Sequence, residues 1–146
     1  YKIIRISKVV TMSKKGNYVL LVDDDEAVNY LNKKLIIKSG LDGKILSLYN
    51  GAEAIREIMN LNNTLESDDL VIVFLDIYMP ILNGWEFLEK FTAIKYALNF
   101  KTEIYLLTSS VNSEEKTKAE SISLVKEYIC KPLTLDKLKE INLNIK

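Results

Sequence analysis

The stretch YVLLVDDDEAVN, residues 18–29, sets three aspartates directly behind a run of apolar side chains. Neighbouring carboxylates repel one another, so the acids add nothing to stability by standing together. The apolar run reads as a strand covered on both faces. Similar runs follow at KILSLY (44–49), LVIVFL (70–75), EIYLL (103–107) and EYIC (127–130). Between them lie helix-period sets: Val28/Leu31/Leu35, Ala54/Ile58/Leu61, Phe87/Phe91/Ile94/Leu98 and Leu135/Leu138/Ile141. Spacings of three, four and seven each give one apolar helix face. Helix starts are marked by Asn50, Asn83 and Asn112, each followed three residues later by Glu53, Glu86 and Glu115. An Asn there accepts from free first-turn amides, and the Glu favours the positive end of the helix. Asp25 and Thr134 suit the caps of the first and last helices. Strand followed by helix, five times over, predicts an α/β fold: a parallel sheet with right-handed crossovers and helices on both faces.

The 146 residues fit one domain, with 48% hydrophobic and 27% charged side chains. No apolar run approaches the roughly 18–20 residues of a membrane helix, and no secretory leader is apparent, so a cytoplasmic location is expected. There is no histidine, which excludes a Ser/His/Asp triad, a His-ligated zinc site and a phosphohistidine of the chain's own. The single cysteine, Cys130, excludes an internal disulfide or a CxxC site; its strand position predicts an inert core thiol. Catalysis would have to use carboxylates, hydroxyls, lysines or a hard metal. Net charge is zero, but residues 1–17 hold Lys2, Arg5, Lys8, Lys14 and Lys15 and no acid, leaving 15 basic against 20 acidic residues in 18–146. That acidic body is a poor nucleic-acid surface. Residues 60–69, NLNNTLESDD, read as an inserted polar loop.

In an open α/β sheet, sites form beyond the carboxyl ends of the strands. Asp23 and Asp24 follow the first run, Asp76 the third, Thr108 with Ser109 the fourth, and Lys131 the fifth. Three carboxylates, a hydroxyl and an ammonium are therefore expected on one rim. Carboxylates packed together either raise a pKa or hold a cation, and Mg²⁺, which prefers oxygen ligands, suits them. With Lys131 and Thr108 to meet phosphoryl oxygens, this is a site for phosphoryl transfer onto Asp76.

The blocks LLVDDDEAVNYL, VFLDIYMPILNGWEFL, YLLTSSVN and EYICKPLT together resemble the response-regulator receiver domain, from residue 18 to about 143. The resemblance implies a flavodoxin-like, doubly wound five-stranded sheet of order 2-1-3-4-5. It implies that Asp76 is the phospho-acceptor, served by a sensor histidine kinase or histidine phosphotransfer protein. Asp24 is then the direct ligand of Mg²⁺ (or Mn²⁺), Asp23 acts mainly through water, and the Tyr78 carbonyl is the backbone ligand. Thr108 corresponds to the switch hydroxyl, Lys131 to the family's lysine, and Tyr128 to the aromatic that changes rotamer. Tyr78 and Ser110 fall at positions that tune dephosphorylation, Lys131-Pro132 at a cis bond, and Gly84 at a tight turn. Trp85 is read as partial core. Such a chain is no conventional enzyme, but catalyses its own phosphorylation and autodephosphorylation.

After the fifth helix only NLNIK remains, so a stand-alone receiver is expected, signalling by contact with a downstream protein through its α4–β5–α5 face. Homodimerisation through that face stays open. Residues 1–17 form a basic extension outside the resemblance, with residues 18–146 as the receiver. Two rival readings stand beside this one. A haloacid-dehalogenase-like phosphatase carries a second acid two residues after its nucleophile, where this chain has Tyr78. A phosphorylation-independent binding module commonly lacks the acids retained here.

Overall fold

The structure, a computed structural model, describes residues 16–109 and 112–145. Most of the expected basic extension and Ser110 lie outside those residues. Gly16 and Asn17 belong to the domain itself: the Gly16 amide donates to Asp69, and Asn17 accepts from the Leu70 amide through its side chain.

Five strands pair in parallel: β1 Tyr18–Val22, β2 Lys44–Leu48, β3 Leu70–Asp76, β4 Lys101–Thr108 and β5 Val125–Cys130. Their spatial order is β2-β1-β3-β4-β5, as expected. Every residue of β1 and of β3 is buried, whereas the edge strands β2 and β5 are mostly half-exposed. That contrast explains the near-continuous apolar runs at 18–22 and 70–75: both faces of these strands are covered.

The helices are α1 Glu26–Ser39, α2 Gly51–Leu61, α3 Gly84–Ile94, α4 Ser113–Glu120 and α5 Leu135–Ile145. One core packs Ala54, Ile58, Phe87 and Phe91 of α2 and α3 against Leu20, Val73, Leu75 and Leu106. The other packs Ile36 of α1 and Leu138 and Ile141 of α5 against Val19, Phe74 and Leu107. The expected caps form. Asp25 accepts from the Ala27 and Val28 amides, Asn50 from Glu53, Asn112 from Glu114 and Glu115, and Thr134 from Lys137. Asn83 and Glu86 complete a reciprocal capping box.

Several sequence readings are corrected. The inward side of α1 is Asn29, Asn32 and Ile36, one residue on from the expected set, and Leu31 is 59% exposed. Val28 and Leu31 instead line an apolar groove with Pro132 and Leu133, while Leu35 both borders that groove and packs against the core. Cys130, expected in the core, is exposed, because it ends an edge strand. The third helix stops at Ile94 and continues as a 3₁₀ turn, Lys95–Ala97, rather than reaching Leu98 as one face. The 60–69 loop is not wholly polar: Leu65 is buried in the core, and Asn62 ties the loop to Ala97 and Asn99. Trp85 is partly buried against the core, as read, with Lys118 Nζ 4.2 Å from its ring centre.

Among the described residues, the loop from β3 to α3 holds the one non-glycine residue at positive φ. Ile81 has φ 70°, and the Leu82 amide donates to the Pro80 carbonyl at 2.8 Å, closing a tight three-residue turn around it. A β-branched residue is poorly suited to that conformation, and Ile81 recovers little by packing, since it is 79% exposed. Ile81→Gly, which has no Cβ to strain at positive φ, is expected to raise unfolding free energy by about 1 kcal/mol, measured by chemical denaturation, with the loop unchanged.

Candidate functional site

Strand register decides which side chains meet at the rim. Val22 pairs with Leu75, Asp76 with Leu107, and Thr108 with Cys130. Asp23, Asp76, Thr108 and Lys131 therefore emerge side by side at the carboxyl edge of the sheet, from strands adjacent in space and far apart in sequence. The Lys131 amide extends this ladder by donating to the Thr108 carbonyl at 2.7 Å.

Asp23, Asp24 and Asp76 each offer a carboxylate oxygen, and these oxygens all lie within 4.8 Å of one another. Asp23 and Asp76 are buried; Asp24 is exposed. With an effective dielectric near 20, two unit charges at that separation repel by about 3.5 kcal/mol. Lys131 offsets part of this, its Nζ lying 2.7 Å from Asp23 Oδ2 and 3.2 Å from Asp76 Oδ1. Burial, and after it the charge of Asp23, pushes Asp76 up to about 6, against the opposing pull of Lys131. For Lys131, burial works against its charge, but the hydrogen bond to Asp23 and the charge of Asp76 outweigh it and raise its pKa. One ammonium among three carboxylates leaves excess negative charge. An all-oxygen set of this kind fits a hard divalent ion.

Backbone groups hold the cluster in place. The Asp25 amide donates to Asp23 Oδ1 at 2.9 Å. The Asn29 side-chain amide donates to the carbonyls of Asp23 and Leu48 at 3.0 and 3.2 Å, fixing the end of β1 against that of β2. Gly84 donates its amide to the Ile77 carbonyl at 2.7 Å. A Cβ on Gly84 would stand 2.8 Å from both the Asp76 carbonyl oxygen and Ile77 Cα, so close approach to the end of β3 requires glycine here.

The hydroxyl side of the rim converges on a residue that sequence reading treated only as a helix-start acid. Glu115, on the first turn of α4, is buried. Its Oε1 accepts from Thr108 Oγ1 at 2.9 Å and from the Tyr128 hydroxyl at 2.7 Å, and its Oε2 accepts from the Tyr78 hydroxyl. Burial acts to raise the Glu115 pKa, but the hydrogen bonds from Tyr78, Tyr128 and Thr108 outweigh it and lower it. Burial and the same carboxylate push Tyr128 up to about 12. The structure thus brings Asp23, Asp24, Asp76 and Lys131 together, with Thr108, Tyr128 and Tyr78 joined through Glu115. Asn29 and Glu115 were missed. The signal for Asn29 was its place in the 29/32/36 set, a second helix-spaced series one residue along from the apolar one.

With the geometry in place, comparison with known proteins gives the family. The response regulator receiver domain family model matches residues 19–142, and the chain belongs to that family. It is 30% identical over 129 residues to the probable C4-dicarboxylate response regulator DctR of Priestia megaterium, covering 88% of this chain and 51% of that protein. The chain thus spans about half the length of that relative. A two-component response regulator from Cytophaga hutchinsonii superposes with TM-score 0.70 at 33% identity, covering 89% of this chain and 98% of the other. A receiver protein from Dyadobacter fermentans superposes with TM-score 0.72 at 23% identity, covering 86% and 94%. Receiver domains typically bind a divalent metal, which agrees with the donor set. Among the described residues no helix is long and apolar enough to cross a membrane.

An acid whose folded pKa lies above its unfolded value opposes folding once it ionises. For Asp76 this penalty is absent below about pH 4, where both states are protonated, and is complete above about pH 6. Asp76→Asn is therefore expected to stabilise the metal-free protein at pH 7.5 by on the order of 1–3 kcal/mol, with the gain vanishing near pH 4. Urea unfolding at the two pH values measures it.

Proposed function

We propose that Asp76 accepts a phosphoryl group from a phosphohistidine on a sensor kinase or histidine phosphotransfer protein, in a Mg²⁺-dependent reaction, and that a change on the α4–β5–α5 face passes the signal to a partner protein. The single observation that carries this reading is the convergence of Asp23, Asp24, Asp76 and Lys131 at one rim, with the acceptor carboxylate held against a lysine. Asp23 and Asp24, with the Tyr78 carbonyl, would hold the cation beside Asp76; when bound, it supplies positive charge for the phosphoryl oxygens.

The chain's own groups do the rest. An Asp76 oxygen attacks phosphorus as the P–N bond to the donor imidazole breaks, leaving an acyl phosphate on Asp76 and the bonding pair on the imidazole. Lys131, already 3.2 Å from Asp76, meets the charge that gathers on the phosphoryl oxygens. The Thr108 hydroxyl donates to one of these oxygens once the group is in place. Its movement opens space toward which Tyr128 turns, and the surface of α4, β5 and α5 shifts in population. Tyr78, 61% exposed at the rim, shields the acyl phosphate from water, and Ser110 is assigned the second shielding position.

The donor protein would meet the rim where the groove of Val28, Leu31, Leu35, Pro132 and Leu133 opens next to Lys131. Its apolar lining beside the acceptor gives a helix of the donor a place to rest without competing with the charges.

Intact-mass analysis after incubation with acetyl phosphate is expected to show one added phosphoryl group, dependent on Mg²⁺, labile to hydroxylamine and absent from Asp76→Asn. An adduct that persists in Asp76→Asn would rule out this acceptor. Leu31→Asp is expected to cut phosphotransfer from a protein donor at least tenfold while leaving labelling by acetyl phosphate within twofold of wild type, an effect of about 1.4 kcal/mol or more on productive docking.

A further inference from the structure

α4, SEEKTKAE, is polar nearly all round and buries only Glu115 and Ala119. α2 and α3 hold the same face of the sheet with apolar side chains such as Ile58, Phe87 and Phe91. Lys118 of α4 rests over the Trp85 ring at its outer side. Much of what fixes the first turn of α4 to the domain is therefore the Glu115 carboxylate and the three hydroxyls it gathers. Those hydroxyls come from three separate elements: Tyr78 from the loop after β3, Thr108 from the end of β4, and Tyr128 from β5.

We propose that Glu115 is a positioning residue that latches α4 in the unphosphorylated arrangement by competing with the phosphoryl group for the Thr108 hydroxyl. This rests on the reading of Asp76 as acceptor and adds the residue that opposes it. A hydroxyl has one proton to donate, so Thr108 can serve Glu115 or a phosphoryl oxygen, but not both at once. When Thr108 turns to the phosphoryl group, a buried carboxylate loses a donor and also faces new negative charge, and both changes disfavour its buried position. Tyr128 and Tyr78, which share the same carboxylate, are released with it. Coupling must run in both directions: a partner that binds α4 and draws Glu115 outward frees Thr108 and promotes phosphorylation.

The test uses the full chain with Glu115→Ala and Glu115→Gln, both checked for folding by circular dichroism. Two readouts are taken: the initial rate of phosphorylation by acetyl phosphate with Mg²⁺, followed by intact mass, and amide hydrogen exchange across residues 113–120 without phosphate. Glu115→Ala is expected to phosphorylate at least threefold faster than wild type, with α4 exchange raised to the level of phosphorylated wild type. Glu115→Gln loses the charge but keeps a carbonyl that can accept from Thr108 and Tyr128. It should fall between the two in rate and in exchange, a graded rescue that simple loss of packing would not give. A rate in Glu115→Ala equal to or below that of wild type overturns the latch; should that variant not fold, an unchanged or slower rate in Glu115→Gln does the same. If wild type takes up no phosphoryl group, the acceptor reading falls by itself. Exchange at 113–120 still judges the latch in that case, and an unchanged pattern overturns it.

Discussion

The crowding of Asp23 and Asp76 at the ends of adjacent buried strands is the constraint on which the rest of the molecule depends. Each is a charge that water would stabilise better, and the fold places both where little water reaches. Lys131 relieves the crowding from the far side of β4, at the end of β5. Its Nζ can reach both acids because Thr108 pairs with Cys130, which sets the level at which the chain leaves β5. A slip of one residue in that pairing would turn alternate side chains to the wrong face and remove the ammonium. The apolar strands thus do more than fill the core: their register brings opposite charges together across more than a hundred residues of chain.

The two halves of the rim are held together in different ways. On the acid side, Asn29 ties β1 to β2, Asp25 both caps α1 and donates its amide to Asp23, and Gly84 lets the next loop lie against the end of β3. Those contacts fix the end of β1 and the approach of the next loop to Asp76. On the hydroxyl side, a single carboxylate on a short polar helix joins groups from three elements. On the proposed function, phosphorylation at the acid side would alter the hydroxyl side without disturbing the sheet, the division a switch needs.

Most of the sheet was legible because β1 and β3 are covered on both faces, and an apolar run of five to seven residues bounded by polar ones fits a buried strand better than a helix. The caps were legible because Asn50, Asn83 and Asn112 act within their own helix starts. The rim acids could be placed from the strand ends alone, since position along a parallel strand fixes position in space. Reading failed where tertiary partners decide between two local options. On α1, both 28/31/35 and 29/32/36 have helical spacing; the inward choice fell on the set with two asparagines, where the Asn29 side-chain amide nitrogen finds the carbonyls of Asp23 and Leu48, although its Oδ1 is buried without a partner among the described residues. Cys130 looked like a core residue, yet its strand is at the sheet edge, and apolar character alone does not distinguish an edge.

Glu115 shows the same limit in its sharpest form. An acid three residues after Asn112 matches a helix-start pattern completely, and its backbone amide does take the expected cap from Asn112. Nothing local indicates that the side chain turns inward instead. Its three partners, at positions 78, 108 and 128, meet it only because β3, β4 and β5 are neighbours. A polar anchor also does something that an apolar one cannot. Contacts like those of Phe87 and Phe91 lose nothing to a distant phosphoryl group, because dispersion and burial are indifferent to which oxygen a hydroxyl prefers. A carboxylate held by shared protons can be outcompeted for one of them, and its hold on the helix weakens at once. Under the proposed latch, attaching α4 through Glu115 makes the position of the helix a function of where Thr108 points, which apolar packing at residue 115 would have left independent.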